Sequence, residues 1–301
     1  MTDFRTFYSA HSFITQPHEW ASQFDAIPND IASICKVVQG LVYHYFADEQ
    51  FWGFKPPKER MSEVDTRYVK DSITRLLTMD ARPITEFRAP ENRIIGCCRD
   101  FSVLFTSICR HKGIPARTRS GFAAYIVPPY FMDHVIVEVW DEAQNRWIQV
   151  DPEIPVGVFP FDIQDMPPDK FILAGRAWQM CRNEGANPDL FGLGPDSPDD
   201  VKGWSFIQTR LLQDVAALSK QEMLCWDTWG TLAEKANHED ALFLDKVAEL
   251  TLAGNHTLPE LWSLAQSDAR LKVPTVIESF SPASEGIVQV PLKFAPDGVT
   301  S

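Results

Sequence analysis

Two adjacent cysteines, Cys97 and Cys98, stand in the run Ile95-Gly96-Cys97-Cys98-Arg99-Asp100-Phe101, where a loop gives way to an apolar helix. A thiol on the first turn of such a helix meets backbone N–H groups that lack an intrahelical acceptor, and the positive end of the helix dipole. Both favour a thiolate. A thiolate attacks the carbonyl carbon of an amide or ester. Two more residues could serve it. His134 begins an extended run after the loop Pro128-Pro129-Tyr130-Phe131-Met132-Asp133, and Asp151 follows the next run, Trp147-Ile148-Gln149-Val150. If those runs are hairpin neighbours, the start of one lies beside the end of the other, and His134 and Asp151 meet at one edge of a sheet. A helix docked there through its first turn completes a Cys-His-Asp set. Imidazolium then stabilises the thiolate and protonates the leaving group, while the carboxylate fixes the tautomer and orientation of the ring.

The residue types alone leave alternatives open. A small cysteine beside a helix start is often simply buried, and a strand histidine often only bonds a neighbour. Either Cys97 or Cys98 could be the reactive thiol. Helix phase mildly favours Cys98, which is close in angle to Phe101, Phe105 and Cys109. An oxyanion would find the Cys98 N–H at the helix start, with the Asn92 side chain a weaker candidate. Arg99, Arg117 and Tyr130 are further weak candidates for contacts with substrate; an ion pair or surface role suits Arg99 better, and packing also suits Tyr130. Asp133 suits a structural role in orienting the loop, and Tyr125 either lines a cleft or packs at a strand end.

The elements that must position these groups are legible from period. Residues 28–48 read as a helix capped by Asp30, and residues 62–79 as a second. The prolines of Arg82 to Ile95 mark a connection. The stripe Phe101, Leu104, Phe105, Ile108, Cys109 predicts a largely buried helix over 98–112, closed by Gly113 and Pro115. The period then changes to extended runs over 117–127, 134–141 and 146–150, with Glu142-Ala143-Gln144-Asn145 as a hairpin link. Residues 152–200 read as irregular apart from a helix near 169–182. Helix returns over 204–252 and 258–268, and a proline-bearing extended tail with Pro274, Pro282, Pro291 and Pro296 follows. The expected organisation is a catalytic core over 1–155 with a mainly helical extension over 156–301 packed on it.

With 301 residues and 45% hydrophobic content the chain can bury a large core. The formal net charge of -13 argues against nucleic acid and against anionic membrane surfaces as partners. No apolar run is long enough to span a bilayer and no signal-peptide core opens the chain, so the cytoplasm is the expected compartment. The six cysteines do not suggest a disulfide framework, and no Cys-x-x-Cys or paired-histidine spacing suggests a metal. No cofactor is expected.

Gly96-Cys97-Cys98-Arg99-Asp100-Phe101-Ser102, then Cys109-Arg110-His111-Lys112-Gly113-Ile114-Pro115-Ala116-Arg117 and Ser120-Gly121-Phe122, resembles the nucleophile segment of the transglutaminase-like superfamily. Asp133-His134-Val135-Ile136-Val137-Glu138-Val139-Trp140 and Arg146-Trp147-Ile148-Gln149-Val150-Asp151-Pro152 resemble its histidine and aspartate segments, in family order. The resemblance covers about 28–152, most specifically 96–152. Its register puts the family's nucleophile on Cys98 and implies a Cys98-His134-Asp151 triad in a papain-like α+β core, with the nucleophile helix against an antiparallel sheet. One departure is Ile136, where the family often has Trp. The implied chemistry is a thioester formed at an amide or ester carbonyl of a peptide, a protein side chain or a small molecule. Hydrolysis, as a peptidase or amidase, is slightly favoured over acyl transfer to an amine; a scaffold that keeps the fold without the activity is the remaining reading. Oligomeric state is not legible.

Overall fold

The computed structural model describes residues 3–230 and 238–293. A short helix α1 (Phe4–Ser9), capped by Asp3, leads to α2 (Ile31–Gln39), whose first turn is closed by the Asp30 carboxylate accepting from Ser33 N at 2.8 Å. The expected helix over 28–48 stops at Gly40. There the chain passes so close to Phe87 that an added Cβ would lie 2.9 Å from its ring, and the following residues form β1 (Val42–His44). After α3 (Glu49–Trp52), the stretch expected as one helix over 62–79 splits into a 3₁₀ turn, Lys58–Asp65, and α4 (Val69–Met79). Strand β2 (Ile94–Gly96) then pairs in parallel with β1 and delivers the chain to α5 (Cys98–His111).

Helix α5 is buried from Cys98 to Arg110, as its broad apolar stripe requires. Asp100 closes its first turn by accepting from Cys97 N at 2.8 Å. Gly113, at φ 72°, ends it in the left-handed conformation, and Ile114 N returns to Cys109 O at 2.9 Å.

Four strands follow: β3 (Ala116–Val127), β4 (Tyr130–Asp141), β5 (Arg146–Val150) and β6 (Phe171–Leu173). They form an antiparallel sheet in the order β5-β4-β3-β6. Strand β4 begins at Tyr130, earlier than the expected 134, because β3 continues to Val127 and pairs it with Tyr130 across a tight turn. Helix α6 (Ala174–Asn183), the two-residue β7 (Phe191–Gly192) and α7 (Trp204–Leu218) come next. The expected 204–252 helix is broken after Leu218; residues 231–237 of it lie outside the described residues. Beyond the break are β8 (Asp227–Thr228), α8 (His238–Leu252) and α9 (Leu258–Ser267). The tail is more ordered than its prolines suggest: β9 (Val276–Ser279) and β10 (Val288–Pro291) join β8 in a small antiparallel sheet, with Pro296 outside the described residues.

Two apolar clusters hold these layers. Phe101, Leu104, Phe105 and Ile108 of α5 meet Val137, Val139, Ile148 and Val150 of the sheet, with α2 and α4 behind. Phe122 of β3 joins Trp178, Leu211, Val215, Leu244 and Leu261 of the C-terminal helices. Burying a side chain of this size contributes roughly 1.5–3 kcal/mol. Below β6 the edge of β3 has no strand neighbour among the described residues. Asp214 of α7 covers it by accepting from Ser120 N at 2.9 Å and binding Arg119 through both carboxylate oxygens. An edge strand left open would expose unpaired amides. Glu138 takes the other side of Arg119 and also pairs with Arg117. The fold is therefore α+β, a helix-on-sheet core with a largely helical C-terminal region.

Candidate active site

His134 and Asp151 come from neighbouring strands, as hairpin geometry requires. Val137 pairs with Val150, so Asp151, just past β5, lies near His134 on β4. Their contact is direct: His134 Nε2 lies 2.9 Å from Asp151 Oδ2. Asp151 is fully buried, and its Oδ2 also accepts from the Tyr125 hydroxyl at 2.6 Å, while Oδ1 accepts from Glu153 N at 3.0 Å. The Tyr125 and Phe171 rings each stand edge-on with centroids 6.4 Å from that of the imidazole. Phe171 approaches because Gly121 lies opposite His134. A Cβ there would fall 2.3 Å from Ile172 O, so only glycine lets β6 close on the histidine.

The electrostatics follow from burial and pairing. Burial disfavours imidazolium, but the Asp151 charge and its hydrogen bond outweigh it and raise His134 to about 9. Burial also works against the Asp151 carboxylate, yet His134 and Tyr125 hold it below its ordinary value. At neutral pH the two form an imidazolium–carboxylate pair. With Nε2 engaged, Nδ1 is the ring atom left for a reacting group. Glu153 is pushed up by burial to about 8, against the pull of His134, and among the described residues its Oε2 has no hydrogen-bond partner. His44, half-buried near His134, is lowered to about 4 by desolvation and by the His134 charge, and stays neutral.

Cys98 opens α5, and Ser102 one turn later donates to Val135 O at 2.8 Å, which fastens that end of the helix to the residue after His134. Val135 packs with Cys97 and Cys98 in a collar completed by Tyr43, Ile95, Leu224 and Trp226. Cys98 N–H belongs to the first helical turn and has no intrahelical acceptor. The thiols of Cys97, Cys98 and Cys225 all lie within 4.8 Å of one another, and Cys97 Sγ is 4.0 Å from Cys225 Sγ. Contacts from the Cys97 and Cys98 thiols, together with Arg210 and Arg99, hold Cys225 well below the ordinary thiol value although it is partly buried. Cys97 and Cys98 are pushed well above it, chiefly by Cys225. Cys225 is thus the most acidic of the three thiols.

The remaining candidates lie elsewhere or are already engaged. Arg99 is buried, with Nε donating to Glu222 O at 3.1 Å and other guanidinium nitrogens to Arg67 O and Asp100. Arg117 is buried against Glu138 and over the Trp147 ring, about 13 Å along β3 from the residue opposite His134. Tyr130 sits at the start of β4 near Gly192, its hydroxyl buried beside the Gly194 backbone. Asn92 lies in a 3₁₀ turn, Pro90–Asn92, and among the described residues no hydrogen bond joins its side chain to Cys98, His134 or Asp151. Asp133 pairs with Arg210 of α7, whose Nη1 donates to Cys225 O at 2.8 Å. Cys225 and Glu153 carried no local signal that could be read in sequence. Cys225 stands in the aromatic run Leu224-Cys225-Trp226, far along the chain from its partners.

No helix among the described residues is long and apolar enough to cross a membrane. No curated protein matches the chain. A solved structure provisionally described as a cysteine protease, from Cytophaga hutchinsonii, is 18% identical, with a TM-score of 0.35 over 57% of this chain and 46% of that one. The chain thus spans less than half of that protein's length. The sequence profile described as the Transglutaminase-like superfamily matches residues 55–152, beginning later than the residue 28 expected from the sequence. The matched span runs from the 3₁₀ turn ahead of α4 through the cysteine-led helix to the aspartate after β5, the part of the chain whose order of elements is that of a helix laid on an antiparallel hairpin. Residues 55–152 of this chain are a domain of the transglutaminase-like superfamily.

Proposed function

We propose that the protein is a cysteine-dependent hydrolase of amides or esters, with Cys98 as nucleophile, His134 as acid and base, and Asp151 as the group that orients and charges the imidazole. The observation that carries this reading is the buried 2.9 Å His134–Asp151 pair beside a helix led by Cys98. Attack begins as the Cys98 sulfur, its proton lost to solvent, forms a C–S bond to the carbonyl carbon. The carbonyl π pair moves to oxygen, where the Cys98 N–H receives it. The oxyanion then collapses, the C–N or C–O bond breaks, and His134 Nδ1–H protonates the leaving group. Neutral His134 next takes a proton from water, which attacks the thioester. Cys98 leaves as thiolate and recovers a proton from solvent.

Burial supports Asp151 in this role, since an ionised carboxylate bonded three times holds one tautomer of its partner. An amine could replace water at the second step without any change in the first. Incubating the protein with a panel of peptide, glutaminyl and small ester donors, with and without primary amines, separates the two by product mass. A thioester adduct on Cys98, lost in Cys98→Ala and retained in Cys97→Ala, is the expected result. An adduct that persists in Cys98→Ala refutes the assignment, and amide products formed whenever an amine is present replace hydrolysis with transfer.

A further inference from the structure

We propose that Cys97, Cys98 and Cys225 form a three-sulfur site for a thiophilic d¹⁰ cation, Zn²⁺ or Cu⁺, and that a bound ion holds the protein inactive. The inactivation rests on Cys98 being the nucleophile; the binding does not. The geometry is already near what such an ion needs. Thiolate–zinc bonds of about 2.3 Å place sulfurs about 3.8 Å apart in a tetrahedral site and about 4.0 Å apart in a trigonal one. Cys97 and Cys225 are 4.0 Å apart, and all three sulfurs fall within 4.8 Å. Closing the set requires shifts of less than about 1 Å, within the reach of side-chain rotation.

The surroundings suit a soft ion. The collar of Tyr43, Ile95, Val135, Leu224 and Trp226 is apolar, and among the described residues no carboxylate joins the sulfurs in a close donor group that would favour a hard cation. Binding releases the thiol protons to solvent, so Zn²⁺ with three thiolates carries −1 and Cu⁺ carries −2. Arg210 donates to the carbonyl of Cys225 itself, and Arg99 to Glu222 O three residues earlier, so two guanidinium groups border that charge. The sulfurs come from both ends of the fold. Cys97 and Cys98 lead α5, whereas Cys225 is held by Arg210 on the segment after α7. A bound ion therefore also clamps that segment onto the helix. A thiolate whose lone pairs are held by a metal no longer attacks a carbonyl, and removal of the ion frees Cys98.

The test uses the full-length, reduced protein kept free of oxygen. Zn²⁺ and Cu⁺ are titrated separately against a chromophoric chelator of each. One equivalent of one ion should bind to the wild type at least 100-fold more tightly than to Cys225→Ser or Cys97→Ser. X-ray absorption of the loaded wild type, which needs no variant to fold, should show three sulfurs at about 2.3 Å. A shell of oxygen and nitrogen, or equal binding by wild type and both serine variants, overturns the site. Loading should slow alkylation of Cys98 by iodoacetamide at least tenfold, with recovery on chelation; unchanged alkylation overturns the blocking role. If the metal-free protein forms no thioester while the ion still binds through three sulfurs, the hydrolase reading fails and the site stands. If a thioester forms on Cys98 and neither ion binds, the site fails and the hydrolase reading stands.

Discussion

Replacing Asp151 by Asn tests the charge at the centre of the site through folding, without any substrate. His134 rises from 6.5 to about 9 in the folded protein. The ring is almost wholly buried, so solvent screening takes little from the effect, which corresponds to about 3 kcal/mol. Because the folded value lies above the unfolded one, this stability is fully present below pH 6.5 and is lost as pH rises through 9. The Asn variant lacks it throughout. Its deficit relative to the wild type should therefore be larger at pH 5.5 than at pH 10 by about 3 kcal/mol. Glu153 works in the same direction. Asp151 is among the causes that raise it to about 8, so the variant is relieved of that repulsion at high pH. The lost bonds from Tyr125 and Glu153 N add a cost that is nearly the same at both values. Urea unfolding of both proteins at pH 5.5 and pH 10, compared at equal slope, reads the difference. A deficit independent of pH, or larger at pH 10, refutes the imidazolium–carboxylate pair.

Tyr125→Phe removes one donor from the Asp151 carboxylate; it should cost about 1.5–3 kcal/mol in urea unfolding, and His134 should titrate higher by NMR because Asp151 leans more on the imidazole. Gly121→Ala forces a Cβ against Ile172 O and should destabilise by about 1–3 kcal/mol, visible as a lowered urea midpoint with an unchanged slope. Arg119→Met leaves Asp214 and Glu138 buried with much of their compensation gone and should cost about 3–5 kcal/mol. Adding Asp214→Leu to that variant should restore part of the loss; no recovery would count against the pair as its cause.

Helix α5, the hairpin and the His134–Asp151 meeting were all legible because each depends on local period and on neighbours in sequence. Alternation fixed the strand runs, and antiparallel pairing then brought the histidine and the aspartate together. Boundaries set by distant packing were not legible. Helix α2 stops at Gly40 because Phe87 lies against it, and the break after Leu218 has no counterpart in the apolar period of α7. The reading of Arg99 and Arg117 as possible substrate contacts rested on residue type. The structure engages Arg99 with backbone carbonyls and Arg117 with Glu138, groups that no local pattern pairs with them. Cys225 is the largest omission. A third sulfur supplied from a separate layer leaves no spacing to read, and only the closure of α7 over β3 brings it in.

That third sulfur has a consequence for the order in which the molecule is made. Synthesis runs from the N-terminus, so Cys97, Cys98, His134 and Asp151 all leave the ribosome before Arg210 and Cys225. At about 5–20 residues per second, the roughly seventy residues between Asp151 and Cys225 take about 4–15 s to add. During that interval the helix and hairpin can assemble, but Leu224 and Trp226 are not yet there to cover the two leading thiols. The nascent chain thus passes through a stage in which its most sensitive atoms are open to oxidants, electrophiles and stray metal ions. Translation arrested just short of Leu224 would freeze it there. The last part of the collar to be translated is the part that shields the sulfur.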